Sequence, residues 1–294
     1  MPFFLTRRQA GSLLSAGLLS SSLSGHAQAA KTADYNFHDA HDRIAAYVKV
    51  RASLDGKPRI YHYHADCFGI PDGGAPRLLF RREGMSVHRM MINADRSASL
   101  RYTECNYTLD NEGAPIDTWT NPFTNAVVPV KNQAPAAGQK VLITPEGVTN
   151  PGMTLNPPSS SALLFSPPVI SGGRIWFTDD IMFFRTSADA ANFQMAMARP
   201  GDIQLTELIT FEAALDDVQN PKLVSAPATA TIGAVVPWMP WMGMKTADGN
   251  DIPGRMMLRY RCRKLESATE LPAWLSARVE KDYPGFIANP KLDL

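Results

Sequence analysis

The chain has 294 residues, with 29 Lys+Arg against 28 Asp+Glu and a formal net charge of +1. That balance argues against a phosphate-neutralising nucleic-acid surface, and the length suits one large β domain or two small ones, with no second domain required. Three cysteines, Cys67, Cys105 and Cys262, lie far apart without a C-x-x-C, which argues against a zinc ribbon or a thioredoxin-type redox pair.

Residues 1–29 predict a cleaved export signal. Arg7 and Arg8 precede an apolar, Ser/Gly/Leu-rich run from Ala10 to Leu23, and Ala27-Gln28-Ala29 supplies the small-residue cleavage site. Thr6-Arg7-Arg8 fits the twin-arginine pattern and makes the twin-arginine translocase the expected partner during export, while Gln9-Ala10-Gly11 leaves general secretion open. The apolar run is shorter than the roughly 18 residues that span a bilayer, so no permanent anchor is expected. The expected location is the periplasm, with residues 30–294 as a single, nearly neutral domain. An oxidising compartment allows two of the cysteines to pair, and Cα separation decides which.

In chain order, Lys31–Val50 reads as helix, with Phe37, Ile44, Tyr47 and Val48 near helical spacing. After Gly56-Lys57-Pro58 the pattern changes to short apolar or alternating runs at 59–68, 77–92, 99–109, 125–130, 140–144, 173–186, 202–213, 228–236 and 255–264. Turn chemistry separates them, as at Pro71-Asp72-Gly73-Gly74 and Asp110-Asn111-Glu112-Gly113. Many short strands joined by tight turns predict an all-β antiparallel barrel or sandwich with minor helices. The proline-rich stretch 150–168 reads as an irregular crossover, and 271–286 has room for a short helix.

Strand alternation places the candidate chemistry. The odd positions of 203–211 form an apolar face that includes Glu207. A carboxyl there is either paired or raised in pKa, a raised one suiting a general acid, whereas a register slip would turn it to solvent. Leu100, Tyr102, Glu104 and Asn106 share a face with the mix expected of a polar pocket wall or of an exposed surface. Met256, Leu258, Tyr260 and Cys262 separate cleanly inward from Arg259, Arg261 and Arg263. Arg89, between Val87 and Met91, is a candidate for gripping a substrate carboxylate or for closing a buried salt bridge. His62-Tyr63-His64 puts two histidines on one strand face, a weak metal alternative because no glutamate follows at cupin spacing. G-x-S-x-G, Walker and dinucleotide fingerprints are absent, and the expected cofactor is none.

Two further segments carry a family likeness. Asp117-Thr118-Trp119-Thr120-Asn121-Pro122-Phe123-Thr124 and Pro237-Trp238-Met239-Pro240-Trp241-Met242-Gly243-Met244 resemble the signature elements of the bacterial family known as domain of unknown function 1838, and Leu79–Gly84 and Leu271-Pro272 also fit. Asn125-Ala126 and Gly233-Ala234 depart from the family pattern. The resemblance implies a calycin- or lipocalin-like β-barrel, a group that holds both lipid carriers and cofactor-free enzymes such as phenolic acid decarboxylases. Trp119, Asn121, Trp238, Trp241 and Met242 would then line a stacking surface for an aromatic ligand or plug a barrel end.

These features lead to three expectations. The first is a cofactor-free lyase, a decarboxylase of a small phenolic acid, in which Arg89 holds the carboxylate, Tyr63 or Tyr102 the phenol, and Glu207 or Glu104 moves the proton. The second is a periplasmic carrier of aromatic or hydrophobic molecules with the same lining, including Tyr260. The third is a metal-dependent oxygenase using His62 and His64.

Overall fold

The computed structural model describes residues 35–136, 139–149, 166–184, 203–290 and 292. By internal contacts the chain divides into Met1–Ala30 and Lys31–Leu294. The expected export signal, most of the proline-rich stretch and the start of the expected first helix lie outside the described residues.

Helix α1 (Ala40–Arg51) is held at its start by the Asp39 side chain, which accepts from the backbone N–H groups of His41 and Asp42. Its last turn carries Lys49 and Arg51, the sign that suits a helix C-terminus. Strands follow: β1 (Arg59–Pro71), β2 (Arg77–Ile92), β3 (Ala98–Leu109), β4 (Thr118–Thr120), β5 (Val127–Pro129), β6 (Gln139–Thr144), β7 (Gly147–Thr149), β8 (Val169–Ser171), β9 (Arg174–Phe184) and β10 (Ile203–Ala214). A short α2 (Leu215–Gln219), then β11 (Ala228–Val236), β12 (Gly254–Lys264) and α3 (Ala273–Asp282) complete the fold.

Among the described residues, ten strands form one antiparallel sheet in the order β7-β6-β3-β2-β1-β12-β11-β10-β9-β8, and β4 pairs with β5 apart from it. The sheet curls into a half-barrel, so the all-β antiparallel expectation holds. Each long strand matches an alternating run of the sequence; β4, β7 and β8, three residues each, are too short to show a period.

Alternation gives the sheet two different faces. On β1, Tyr61, Tyr63, Ala65 and Cys67 point inward; Tyr61 and Tyr63 join Ile44, Tyr47 and Val48 of α1 and Phe211 of β10, while Ala65 and Cys67 pack with Phe80, Trp119 and Trp238. On the outer side α3 covers part of the sheet, with Leu275 and Val279 packed on Met85, Val87, Cys105 and Tyr107. The sheet is therefore apolar on both faces along β2 and β3. Gly84 of β2 is required where it sits, because an added Cβ would lie 2.3 Å from the Cys105 carbonyl oxygen.

The cysteines do not pair: all three are free and buried. Tyr63 stands opposite Cys262 and Cys67 opposite Leu258, so Cys67 and Cys262 are separated by four residues of strand, about 13 Å. Cys105 belongs to the outer cluster. No two meet the Cα separation that a disulfide needs.

Lys264, at the end of β12, caps α1 from the side. Its ammonium group donates to the carbonyl oxygens of Lys49 (3.1 Å), Val50 (2.6 Å) and Ala52 (3.3 Å), and the residue is 6% exposed. Helix C-terminal carbonyls buried without partners are costly. Lys264→Met is expected to lower unfolding free energy by about 2–3 kcal/mol, read from the midpoint of urea denaturation. An unchanged midpoint would mean that water replaces the ammonium group.

Candidate functional site

The inner face gathers a polar constellation inside an otherwise apolar shell. β3 contributes Tyr102, Glu104 and Asn106, β10 contributes Glu207, β12 contributes Tyr260 and β1 contributes Tyr63. Glu207 shares its face with Ile209 and Phe211, both buried, while Leu208 on the other face is 50% exposed. Glu104 and Glu207 each keep part of their surface accessible although protein surrounds them, as expected on a concave wall.

Their electrostatics are coupled. Burial, then the neighbouring Glu104 charge, pushes the Glu207 carboxyl up to about 7. Burial also raises Glu104, against a 2.6 Å hydrogen bond donated by Gln133 Nε2 and the attraction of Arg82. Burial raises Tyr63, Tyr102 and Tyr260 as well, with Glu104 adding to the shift in each case, so all three phenols stay protonated donors. Asn106 Nδ2 donates to the Tyr63 hydroxyl (3.3 Å) and to Gln133 Oε1 (2.9 Å), linking Tyr63 to Glu104 through one polar network. The Tyr63 and Tyr260 rings meet edge to face at 5.5 Å.

Two arginines, neither singled out by the sequence pattern, flank this constellation. Arg51, from the end of α1, donates to Asp179 Oδ2 of β9 at 2.7 Å and to the Tyr47 hydroxyl, which itself donates to Asp179 at 2.5 Å. Burial opposes the Arg51 charge, but Tyr47 and Asp179 more than offset it. Beside it His88 is driven well below the usual imidazole range by burial and by Arg51, so its Nδ1 accepts from Arg51 Nε at 3.3 Å.

Arg82 of β2 is different. It is 6% exposed, its Nη2 lies 2.8 Å from the Met239 sulfur, and its Nε has no hydrogen-bond partner among the described residues. Asn106 Oδ1 and Thr108 Oγ1 are also buried without partners among the described residues. Thr108 stands opposite Arg82 and Asn106 opposite Gly84, so three unsatisfied polar atoms cluster on one stretch of the inner face. Buried polar atoms left unpaired are uncommon and mark a place where a ligand could complete them.

The other expected residues fall elsewhere. Arg89 is not inside: it shares the outer face with Met85 and Val87, and donates to the carbonyl oxygens of Gly56 (3.0 Å) and Leu292 (3.1 Å). Its role as carboxylate grip is corrected accordingly, because the covered outer face made the apolar neighbours of Arg89 look internal.

The two signature segments pack on each other. Trp119 and Trp241 meet at 5.8 Å, Phe123 and Trp238 at 5.9 Å, and Phe80 touches Trp119 and Trp241. Asn121, fully buried, donates to the Met242 carbonyl oxygen at 2.8 Å and accepts from the Phe123 N–H at 2.8 Å. The Trp119 and Trp238 indoles donate to the carbonyl oxygens of Leu79 and Ile252. Trp119, Trp238 and Met242 are thus buried in one apolar cluster to which Asn121 is hydrogen-bonded, and half-buried Trp241 is the member next to Phe80, over which Arg82 lies. His62 and His64 point to the outer face, away from the carboxyl pair.

Among the described residues no helix is long and apolar enough to cross a membrane. No curated protein matches the sequence. A solved structure titled for lipid–protein interactions in lipovitellin is 9% identical, covering 71% of this chain and 25% of its own, with a TM-score of 0.27. The chain spans a quarter of that protein, and at this score the likeness carries no argument. The model of the family described as protein of unknown function, DUF1838, matches residues 56–294, which includes both signature segments and every strand of the half-barrel, and the chain belongs to that family.

Proposed function

We propose that the chain is an exported, cofactor-free lyase that decarboxylates a small phenolic acid on the inner face of the half-barrel. The observation that carries this proposal is the coupled pair Glu104 and Glu207 among three protonated tyrosines, with Glu207 at about 7 and so partly protonated at neutral pH. A carboxyl poised there can give up a proton near working pH. Arg82, buried and without a carboxylate partner among the described residues, takes the role first expected of Arg89, since its planar fork matches a carboxylate.

For an unsaturated phenolic acid the steps balance as follows. Glu207 donates its proton to the carbon that bears the carboxylate, while the phenol releases its proton to solvent and the ring becomes quinone-methide-like. Tyr102 and Tyr260 donate hydrogen bonds to the oxygen that gains charge. The bond to the carboxylate then breaks, its electron pair restores the double bond and the aromatic ring, and carbon dioxide leaves. The phenolate is reprotonated and Glu207 recovers a proton from solvent.

The test is incubation of the purified mature protein with a panel of phenolic acids, without added metal or cofactor, followed by mass spectrometry. The expected product is the acid less carbon dioxide, and Arg82→Ala is expected to raise KM about ten- to hundredfold, as for loss of a charged hydrogen-bonding group. Acids bound and released unchanged would replace the lyase with a carrier.

A further inference from the structure

The geometry points to a second site, on the opposite face of the same strand: His62, His64 and Glu83 bind one divalent first-row transition-metal ion of the zinc class. The three side chains each offer one ligand atom, and those atoms lie within 4.8 Å of one another. His62 and His64 alternate on the outer face of β1, and β2 pairs so that Glu83 stands directly opposite His64. The glutamate missing from the local sequence is therefore supplied by the neighbouring strand.

Glu83 is shared between the two imidazoles, with one close contact and one open one. Glu83 Oε1 lies 2.8 Å from His62 Nε2, but Oε2 is 3.6 Å from His64 Nδ1, too long for a hydrogen bond. Ligand atoms around a tetrahedral zinc ion are roughly 3.3 Å apart, given zinc–ligand bonds of about 2.0–2.1 Å. The two Glu83–imidazole contacts, 2.8 and 3.6 Å, lie on either side of that spacing. The Glu83 side chain is 7% exposed and that of His62 12%, whereas His64 is 59% exposed. Two ligands are thus preorganised by packing, and the third faces water.

Competing cations are occupied. Arg81 and Arg261 pair with Asp66 at 3.3 and 3.4 Å, and Arg263 pairs with Glu270 at 2.6 Å. Imidazole and carboxylate ligands suit zinc-like ions. Three protein ligands leave a fourth position for water on the exposed side of His64, the arrangement of an open centre and not of a closed structural one. Because β1 separates this site from Tyr63, the ion would not touch the inner carboxyl pair.

The experiment uses the mature protein purified without a polyhistidine tag and stripped with chelator, then titrated with Zn²⁺ and with Co²⁺, whose visible bands report tetrahedral ligation. About one equivalent is expected, with affinity at least tenfold weaker in His64→Ala and in Glu83→Gln. His64→Ala removes a mostly exposed side chain and keeps the fold, which circular dichroism checks. Absence of stoichiometric binding, or binding unchanged in His64→Ala, overturns the proposal. Binding is read directly, so failure of the lyase reaction leaves this result untouched.

Discussion

Glu207→Gln is expected to lower decarboxylation by two to four orders of magnitude, the typical contribution of a positioned acid or base, each order being about 1.4 kcal/mol of barrier. Glutamine keeps the shape and hydrogen-bonding capacity of a protonated carboxyl but carries no proton to transfer, so ligand binding should survive. In the native protein the rate should decline as pH rises through about 7, because the protonated form acts. Stability gives an independent check. A carboxyl whose folded pKa is raised from 4.5 to about 7 contributes stability fully present below 4.5 and lost as pH rises through about 7. Glu207→Gln should flatten that slope in denaturation series at pH 4.5 to 7. An unchanged rate removes Glu207 from the chemistry, and an unchanged slope shows that its carboxyl is not titrating in that window.

Asp179→Ala should cost about 3–5 kcal/mol of unfolding free energy, the usual consequence of removing one partner from a buried ion pair. The Arg51 and Asp179 side chains are only 9% and 10% exposed, and their contact ties the end of α1 to β9 across a sequence separation of 128 residues. Alanine leaves a guanidinium among Tyr47, Phe211 and neutral His88 without its hydrogen-bonded carboxylate. The exposed pair Lys245–Asp251, 63% and 83% accessible, is the control and should lose almost nothing on substitution. Urea denaturation of both variants decides the matter. A loss below about 1 kcal/mol for Asp179→Ala would mean that Arg51 reaches solvent and that packing alone holds α1.

Local pattern carried most of the fold. The long strands, the helix ending at Arg51 and the C-terminal helix all left periodic or turn signals, and alternation put Glu207 and Tyr260 inward while leaving the Glu104 face open between pocket wall and surface. What pattern could not show depends on pairing. Arg51 matters because β9 places Asp179 beside it, a relation with no local signature. Arg89 was misjudged because α3 makes the outer face as apolar as the inner one. Glu83 was hidden by a bulge. Continuing the register of Gly69 with Arg77 and Phe68 with Leu78 would set His64 opposite Arg82, and the shift between Cys67 and Phe68 brings Glu83 there. The signature segments were visible as motifs, yet their mutual packing through Asn121 and Met242 needed three dimensions.

The bulge and the alternation of β1 also bear on how such a chain can change over evolutionary time. Tyr61 and Tyr63 serve one side of the sheet and His62 and His64 the other, so a single inserted or deleted residue between Arg59 and Cys67 would exchange the two sets. Both proposed sites would be lost in one event. Length variation among homologues should therefore collect in the connections, such as the Pro71–Gly74 turn, while β1 keeps its residue count and drifts only by substitution.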